Sequence, residues 1–412
     1  MKILHINRTD CGGAANACLR LHEGLLNAGI DSKVLIMRKT NNHFREVYAH
    51  ESKIRNRCLA RMVQILKKLL SLNRIVLKLY LKKLRPKSLE RISFPVSNID
   101  ITKSKLFREA DIIHLHWVSN FLDYKSFFSK CKKPIVWTFH DQNPFLGVEH
   151  YAEKLLSPDE QGFPVVRQFN DFELKIEEKY KRIKREIFEN TPINIIALCN
   201  WMKNEITDSQ MFPIANINIV PNGIDCNLFK ILDKEKCRKI LNLPLNKKII
   251  LFVSDYVNNN RKGLSYLKKV NSNDFIICSA GGKMAFNDKN TNFIELGKLY
   301  DQQLNVAYCA ADLFVIPSLM DNLPNTVIEA LLSGVPVVSF PVGGMFDLIK
   351  QKFNGYMAKD ISVSALSDAL DLFFREGVDW SPEEIRKDAI ERYDISVQVK
   401  NMTSIYKNIL FF

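Results

Sequence analysis

"LFVIPSLMDNLPNTVIEALLSGVPVVSF", Leu313 to Phe340, decides the fold. The run "LFVIPS" has the length and apolar content of a buried strand. "MDNLPN" is a polar loop, and "TVIEALLSG" has helical spacing and ends at a glycine. "VPVVSF" is a second strand. A short strand, a loop, a helix and another strand make a parallel crossover unit. The helix carries one charge where a plain scaffold has none. Glu329 lies in the first turns of the helix, flanked by Val327, Ile328, Ala330 and Leu331. A carboxylate in such surroundings is costly without a partner. Two vicinal hydroxyls, as ribose offers, would supply one.

The same rhythm extends in both directions. "MKILHI", "SKVLIM", "DIIHLHW", "KPIVWTFH" and "INIIALC" are apolar runs of strand length with helical periodicity between them. After Pro221 the pattern restarts with "KKIILFVS", "DFIICSA" and "NFIELG". Strands alternating with helices imply parallel sheets covered on both faces. The chain has 412 residues, which suits two domains of roughly 150–200 residues. The expected division is an N-terminal Rossmann-like domain over 1–205 and a second over 206–391. A last helix over 392–412 would cross back to the first domain.

One segment breaks the rhythm. Between Glu51 and Arg91 there are thirteen Lys/Arg and two Glu, a net of +11 out of the chain's +14. Leu66, Leu69, Leu70, Leu77, Leu81 and Leu84 fall on one helical face. Residues 51–91 read as one or two basic amphipathic helices inserted in the first domain. Residues 53–91 would meet an anionic membrane surface; the other reading is an insertion packed on the domain. Nucleic acid is not expected, because the stretch has one tyrosine and no stacking platform. No apolar run reaches the ~18 residues of a membrane span, and the N-terminus goes straight into strand pattern. The nine cysteines have neither CxxC nor zinc spacing. The expected location is cytoplasmic, peripheral at the inner face of the plasma membrane.

The candidate residues sit where strands end. Gly12 and Gly13 follow the first strand and open a helix, a place for an anion or merely a tight turn. The pattern is not GxGxxG, so a dinucleotide site is not expected. His140 and Asp141 end the strand "PIVWTFH", with Glu149 and His150 close behind. His–Asp pairs can exchange hydrogen bonds with sugar hydroxyls. His114 and His116 alternate along "HLHW", so at most one faces a ligand, and His116 is the candidate. Arg261 and Lys262 precede Gly263 at a helix start, two cations suited to a diphosphate. Asn322, Leu323, Pro324, Asn325 and Thr326 follow in the opening loop and can present backbone N–H groups to a ligand.

At these residues the chain resembles the retaining glycosyltransferases of the GT-B fold, in particular family four. Within it the resemblance is to the bacterial branch that builds colanic-acid-type exopolysaccharides, capsules and O-antigens. It is carried by "GGAANACLRLHEGLLNAG", "VWTFHDQNPFLGVEHY", "IVPNGID", "RKG", "ELG", "DNLPNTVIEALLSGVPVVSF" and "VGG". It implies two doubly wound parallel-sheet Rossmann-like domains facing a cleft. It implies transfer of a hexosyl unit from a nucleoside diphosphate sugar to a glycan or polyprenyl-diphosphate-linked acceptor, with no cofactor and no metal. Glu329 would hold the ribose, Arg261 and Lys262 the leaving diphosphate, and Asp321 and His140 the transferred sugar. Leu299, two after Gly297, would offer backbone groups to the base. His116, Asp141, Glu149 and His150 would lie on the acceptor side. Asp321 stands where the family's Glu-x7-Glu pattern has its first Glu, one methylene longer. Many relatives carry a cysteine cluster after "HY"; here the stretch is "AEKLLSPDEQGFPVVRQFND". A nucleotide-sugar epimerase or a phosphorylase on the same fold, and a non-catalytic basic membrane or nucleic-acid scaffold, are the rival readings.

Overall fold

The computed structural model describes residues 1–40, 43–50, 77, 79–81, 83, 85–86, 88–255, 259–271, 274–282, 292–376 and 380–411. The chain forms two compact units. The first comprises Met1–Ala152, Gln168–Ile196 and Ile206–Asn218; the second comprises Glu153–Arg167, Ala197–Glu205 and Ile219–Phe412.

The first unit is built on β1 (Lys2–Thr9), β2 (Asp31–Arg38), β3 (Val47–Ala49), β4 (Ile112–Leu115) and β5 (Ile135–Phe139). A hairpin of the second unit follows, β6 (Leu155–Pro158) and β7 (Pro164–Val166), and then β8 (Asn194–Ala197) and β9 (Asn216–Ile219). The seven-stranded sheet runs β3-β2-β1-β4-β5-β8-β9. β1 pairs in parallel with β2 on one side and β4 on the other, with His5 opposite His114. The strand order therefore reverses between β1 and β4. Beyond the carboxyl ends of strands, at such a reversal, open α/β sheets bind ligands. The central strands are buried on both faces, which is why they read as continuous apolar runs.

The second unit repeats the plan with β10 (Lys248–Ser254), β11 (Phe275–Gly281), β12 (Phe293–Gly297), β13 (Leu313–Ile316), β14 (Val337–Ser339) and β15 (Gly355–Met357). Its order is β12-β11-β10-β13-β14-β15, with the reversal between β10 and β13. The opening stretch of sequence supplies β13, the helix Asn325–Leu332 and β14. The sequence pattern did not single out β3, β9 or β15, because edge strands of three or four residues are too short to show a period. The last helix, Ile395–Phe411, belongs to the second unit, where Gln398 accepts from Gly223 N at 2.9 Å.

Most of the basic stretch 51–91 lies outside the described residues. Its described end contributes to the first unit's core. Leu81 is buried with Ile92, Phe94, Val148, Ile176 and Tyr180, and Leu77 packs beside them. Leu79 and Tyr80 are exposed. Among the described residues no helix is long and apolar enough to cross a membrane.

Candidate active site

In the second unit, the loops that follow β10 and β13 lock together. The β10 loop ends in a single turn, Asn260–Lys262, closed by Gly263 in the left-handed region at φ 69°. A Cβ there would stand 1.6 Å from the Pro317 carbonyl oxygen, so only glycine lets the loops approach this closely. Leu319 N donates to Arg261 O at 2.7 Å, and Arg261 Nη1 donates to Met320 O at 2.9 Å.

This brings Arg261 and Lys262 onto Asp321. Its Oδ2 accepts from Lys262 Nζ at 2.7 Å and from Ser318 Oγ at 3.1 Å, and lies 3.4 Å from Arg261 Nη1. Burial alone would raise the Asp321 pKa. The charges of Lys262 and Arg261, with the hydrogen bonds from Lys262 and Ser318, outweigh it and hold the carboxyl below its ordinary value. Gly343 and Gly344 of the "VGG" stretch press on the other side of this loop. A Cβ on Gly343 would meet Asp321 O at 1.7 Å, and one on Gly344 would meet Asn322 O at 1.9 Å.

The helix Asn325–Leu332 starts without a side-chain cap. Asn322, Leu323 and Pro324 are buried before it, and Asn325 and Thr326 are half-buried in its first turn. Asn222 of "PNGID" donates to Asn325 Oδ1 at 2.9 Å, which joins two motifs distant in sequence. Glu329 is buried, and the Tyr308 hydroxyl donates to its Oε2 at 3.3 Å. The sequence reading left this carboxylate without a protein partner; the tyrosine supplies one. Leu299 is half-buried just beyond β12.

The stretch without cysteines forms the β6–β7 hairpin, and it supports the cation pair. Asn260, next to Arg261, donates to Leu155 O at 3.1 Å and accepts from Ser157 Oγ at 2.7 Å. Tyr266 donates from its hydroxyl to Leu156 O at 2.9 Å.

In the first unit, Gly12 has φ 94° and precedes the helix Gly13–Asn27, which also starts without a side-chain cap. A Cβ at Gly12 or Gly13 would meet nothing within 4 Å. Gly12 is thus required by its backbone angle, while Gly13 leaves open space at the helix start. His116 and His140 follow β4 and β5 and are joined, His116 Nδ1 to His140 Nε2 at 3.0 Å. Burial lowers the His140 pKa to about 4, against the opposing pull of Asp141. His116 is also lowered, by burial first and then by the imidazoles of His114, His5 and His140.

The remaining candidates are buried in internal networks. Asp141 Oδ2 pairs with His150 Nδ1 at 2.5 Å and accepts from Trp117 Nε1 at 2.9 Å, while Oδ1 accepts from Asn143 N at 2.9 Å. Burial would raise this carboxyl, but those partners hold its pKa down, His150 most of all. His150 continues through Nε2 to Ser93 Oγ at 2.8 Å. Glu149 forms a salt bridge with the buried Arg85 at 3.0 Å, which also lies 3.7 Å from Glu173. Sequence reasoning missed Arg85, Tyr308 and Asn222 as partners. The recurrence of histidine near the ends of "KILHI", "HLHW" and "TFH" was the one signal for the first unit's cluster.

Known proteins resemble this chain in sequence and in fold. Residues 11–228 match the family described as Glycosyltransferase Family 4, and residues 247–375 match Glycosyl transferases group 1. A Bacillus subtilis (strain 168) protein named "Putative teichuronic acid biosynthesis glycosyltransferase TuaC" is 28% identical over 210 residues. That match takes in 50% of this chain and only 52%, about half, of the relative's length. An uncharacterized glycosyltransferase, MJ1607 of Methanocaldococcus jannaschii, is 23% identical over 72% of this chain and 75% of its own. Among solved structures, the sucrose-phosphate synthase of Thermosynechococcus elongatus superposes with a TM-score of 0.67 at 15% identity, over 99% of both chains. Anabaena Alr3699/HepE in complex with UDP-glucose gives 0.65 at 14% identity, over 99% of this chain and 100% of that one. The fold is GT-B: two Rossmann-like domains on parallel sheets.

Proposed function

The chain belongs to Glycosyltransferase Family 4, and from that membership we propose that it moves a hexosyl unit from a nucleoside diphosphate sugar to a glycan or polyprenyl-diphosphate-linked acceptor, with retention of anomeric configuration, in surface polysaccharide synthesis. The observation that carries the donor half is the β10/β13 switch point. There two cations, Arg261 and Lys262, share one carboxylate beside an uncapped helix start and the buried Glu329. A diphosphate needs the cations, and a ribose diol needs an acceptor-only carboxylate. Likeness to a protein solved with UDP-glucose supports the same donor class.

Leaving-group charge would be stabilised by Arg261, Lys262 and backbone N–H groups at the loop, the term that dominates when chemistry rests on positioning. Asp321 would contact the transferred sugar and relinquish part of its hold on the cations as the diphosphate arrives. His140, neutral at working pH, would contact the donor sugar as a hydrogen-bonding group. Gly12 and Gly13 would admit diphosphate or acceptor to the helix start, and Leu299 would offer backbone groups to the base. His116, Asp141, Glu149 and His150, each held by protein partners, would act on the acceptor side by shaping it. Residues 53–91 would bring the protein to an anionic membrane carrying the acceptor.

A thermal-shift screen of nucleotide sugars, followed by glycan analysis with a lipid-linked acceptor, tests the reading. One nucleotide sugar should stabilise the protein and be consumed with EDTA present. The absence of stabilisation by any nucleotide sugar would overturn it.

A further inference from the structure

His140 does not stand alone. Three imidazoles, one on β1 and two just beyond the ends of β4 and β5, form a continuous relay. His5 Nδ1 meets His116 Nε2 at 2.9 Å, and His116 Nδ1 meets His140 Nε2 at 3.0 Å. His5 is fully buried and His116 nearly so. Each neutral imidazole carries one N–H and one lone pair, so the relay has only two self-consistent settings.

In the first, protons point inward. His140 Nε2–H donates to His116, His116 Nε2–H donates to His5, and His5 must keep its own proton on Nε2. That atom is buried and has no hydrogen-bond partner among the described residues, and an orphaned buried N–H is the rarer defect. In the second, protons point outward. His5 Nδ1–H donates to His116 Nε2, and His116 Nδ1–H donates to His140 Nε2. Only a lone pair is then left at His5 Nε2.

We propose that His5 and His116 are positioning residues that lock His140 in the Nδ1–H tautomer, so that the site presents a hydrogen-bond donor and not a base. Of the two ring nitrogens of His140, it is Nε2 that is taken up by His116. A ligand group that meets Nδ1–H would be an acceptor, such as a sugar hydroxyl oxygen. This last step rests on the proposed function; the tautomer does not.

Nitrogen NMR of the full chain labelled with 15N-histidine, near pH 7, reads the tautomers directly, with His140 assigned through His140→Gln. His5, His116 and His140 are all expected as Nδ1–H. His5→Leu removes the first donor and should release His140 into a mixture of tautomers. His5→Gln, whose amide can still donate to His116, should preserve the lock. With a donor sugar in hand, His5→Leu should lower kcat about tenfold with KM little changed, the effect of one hydrogen bond, and His5→Gln should restore it. His140 found as Nε2–H, or unaltered in His5→Leu, overturns the lock; the wild-type measurement decides even if the variants do not fold. A changed tautomer with unchanged kcat overturns the role in catalysis alone. A wild-type protein that transfers no sugar yet shows the three Nδ1–H signals would sink the proposed function and leave the lock standing.

Discussion

Replacing Asp321 by Asn tests the electrostatics of the donor site most directly. The substitution keeps the shape of the side chain and removes one charge. In the wild type that charge is shared by Lys262 at 2.7 Å and Arg261 at 3.4 Å, with side chains of Asp321 and Arg261 only 9% and 8% exposed. Removing one partner of a buried pair typically costs about 3–5 kcal/mol, because the other charge stays buried without compensation. Lys262, at 24% exposed, can turn toward water, so the lower figure, about 3 kcal/mol, applies. For a unit of this size that is a fall of about 6–12 °C in its melting transition. The carboxyl's folded pKa lies below its unfolded value of 3.8. Its contribution is therefore complete above that pH and lost only as pH falls further, so neutral buffer reports the full effect. The second consequence has the opposite sign. A nucleoside diphosphate brings its own negative charge to the two cations, and without Asp321 it no longer competes. Its affinity should rise about tenfold, equivalent to ~1.4 kcal/mol, while the intact donor, which loses its sugar contact, should gain less or weaken. Differential scanning fluorimetry with and without nucleoside diphosphate, and isothermal titration of diphosphate and donor, measure both. A variant as stable as wild type, or one that loses affinity for the free diphosphate, would refute the reasoning.

Glu329→Ala should weaken nucleoside diphosphate binding about ten- to a hundredfold and Glu329→Gln less, as loss of a hydrogen bond to a charged group predicts; an unchanged Kd by titration would remove the ribose role. Gly263→Ala forces a Cβ to within 1.6 Å of Pro317 O at φ 69°. It should therefore lower the melting temperature and the diphosphate affinity together; a silent substitution would mean the two loops do not depend on their close approach. Burial, reinforced by the His140 imidazole, lowers the pKa of His114 to about 3, and burial, against the pull of Asp141, lowers that of His140 to about 4, from 6.5. The unfolded chain then binds more protons than the folded one below pH 6.5, so stability should fall as pH drops from 6.5 toward 3. His114 alone would contribute up to about 5 kcal/mol; a flat unfolding profile between pH 6.5 and 4 would contradict this. Charge reversal of Lys67, Lys68, Lys82 and Lys83 to Glu should release the protein from anionic liposomes, and unchanged co-sedimentation would count against membrane docking.

The amino-acid sequence by itself determined the alternation of strand and helix, because burial imposes a local period that each segment carries within itself. It also placed the candidate residues at strand ends: Arg261 and Lys262 after β10, Asp321 to Glu329 after β13, and His140 after β5. A glycine or a loop is needed at those positions whatever lies across from them. It did not determine who partners whom. Asp321 and Lys262 are 59 residues apart, Glu329 meets Tyr308 at 21, and His5 meets His116 at 111. Glu149 answers to Arg85, at the described end of a segment whose charges read from the sequence as solvent- or membrane-facing. Such pairs depend on the order in which strands are laid side by side and on their register. Moving one strand by a residue turns its side chains to the opposite face. The histidine relay exists because β1, β4 and β5 lie next to one another in an order the chain does not follow. Only the folded sheet brings its three rings into hydrogen-bond reach.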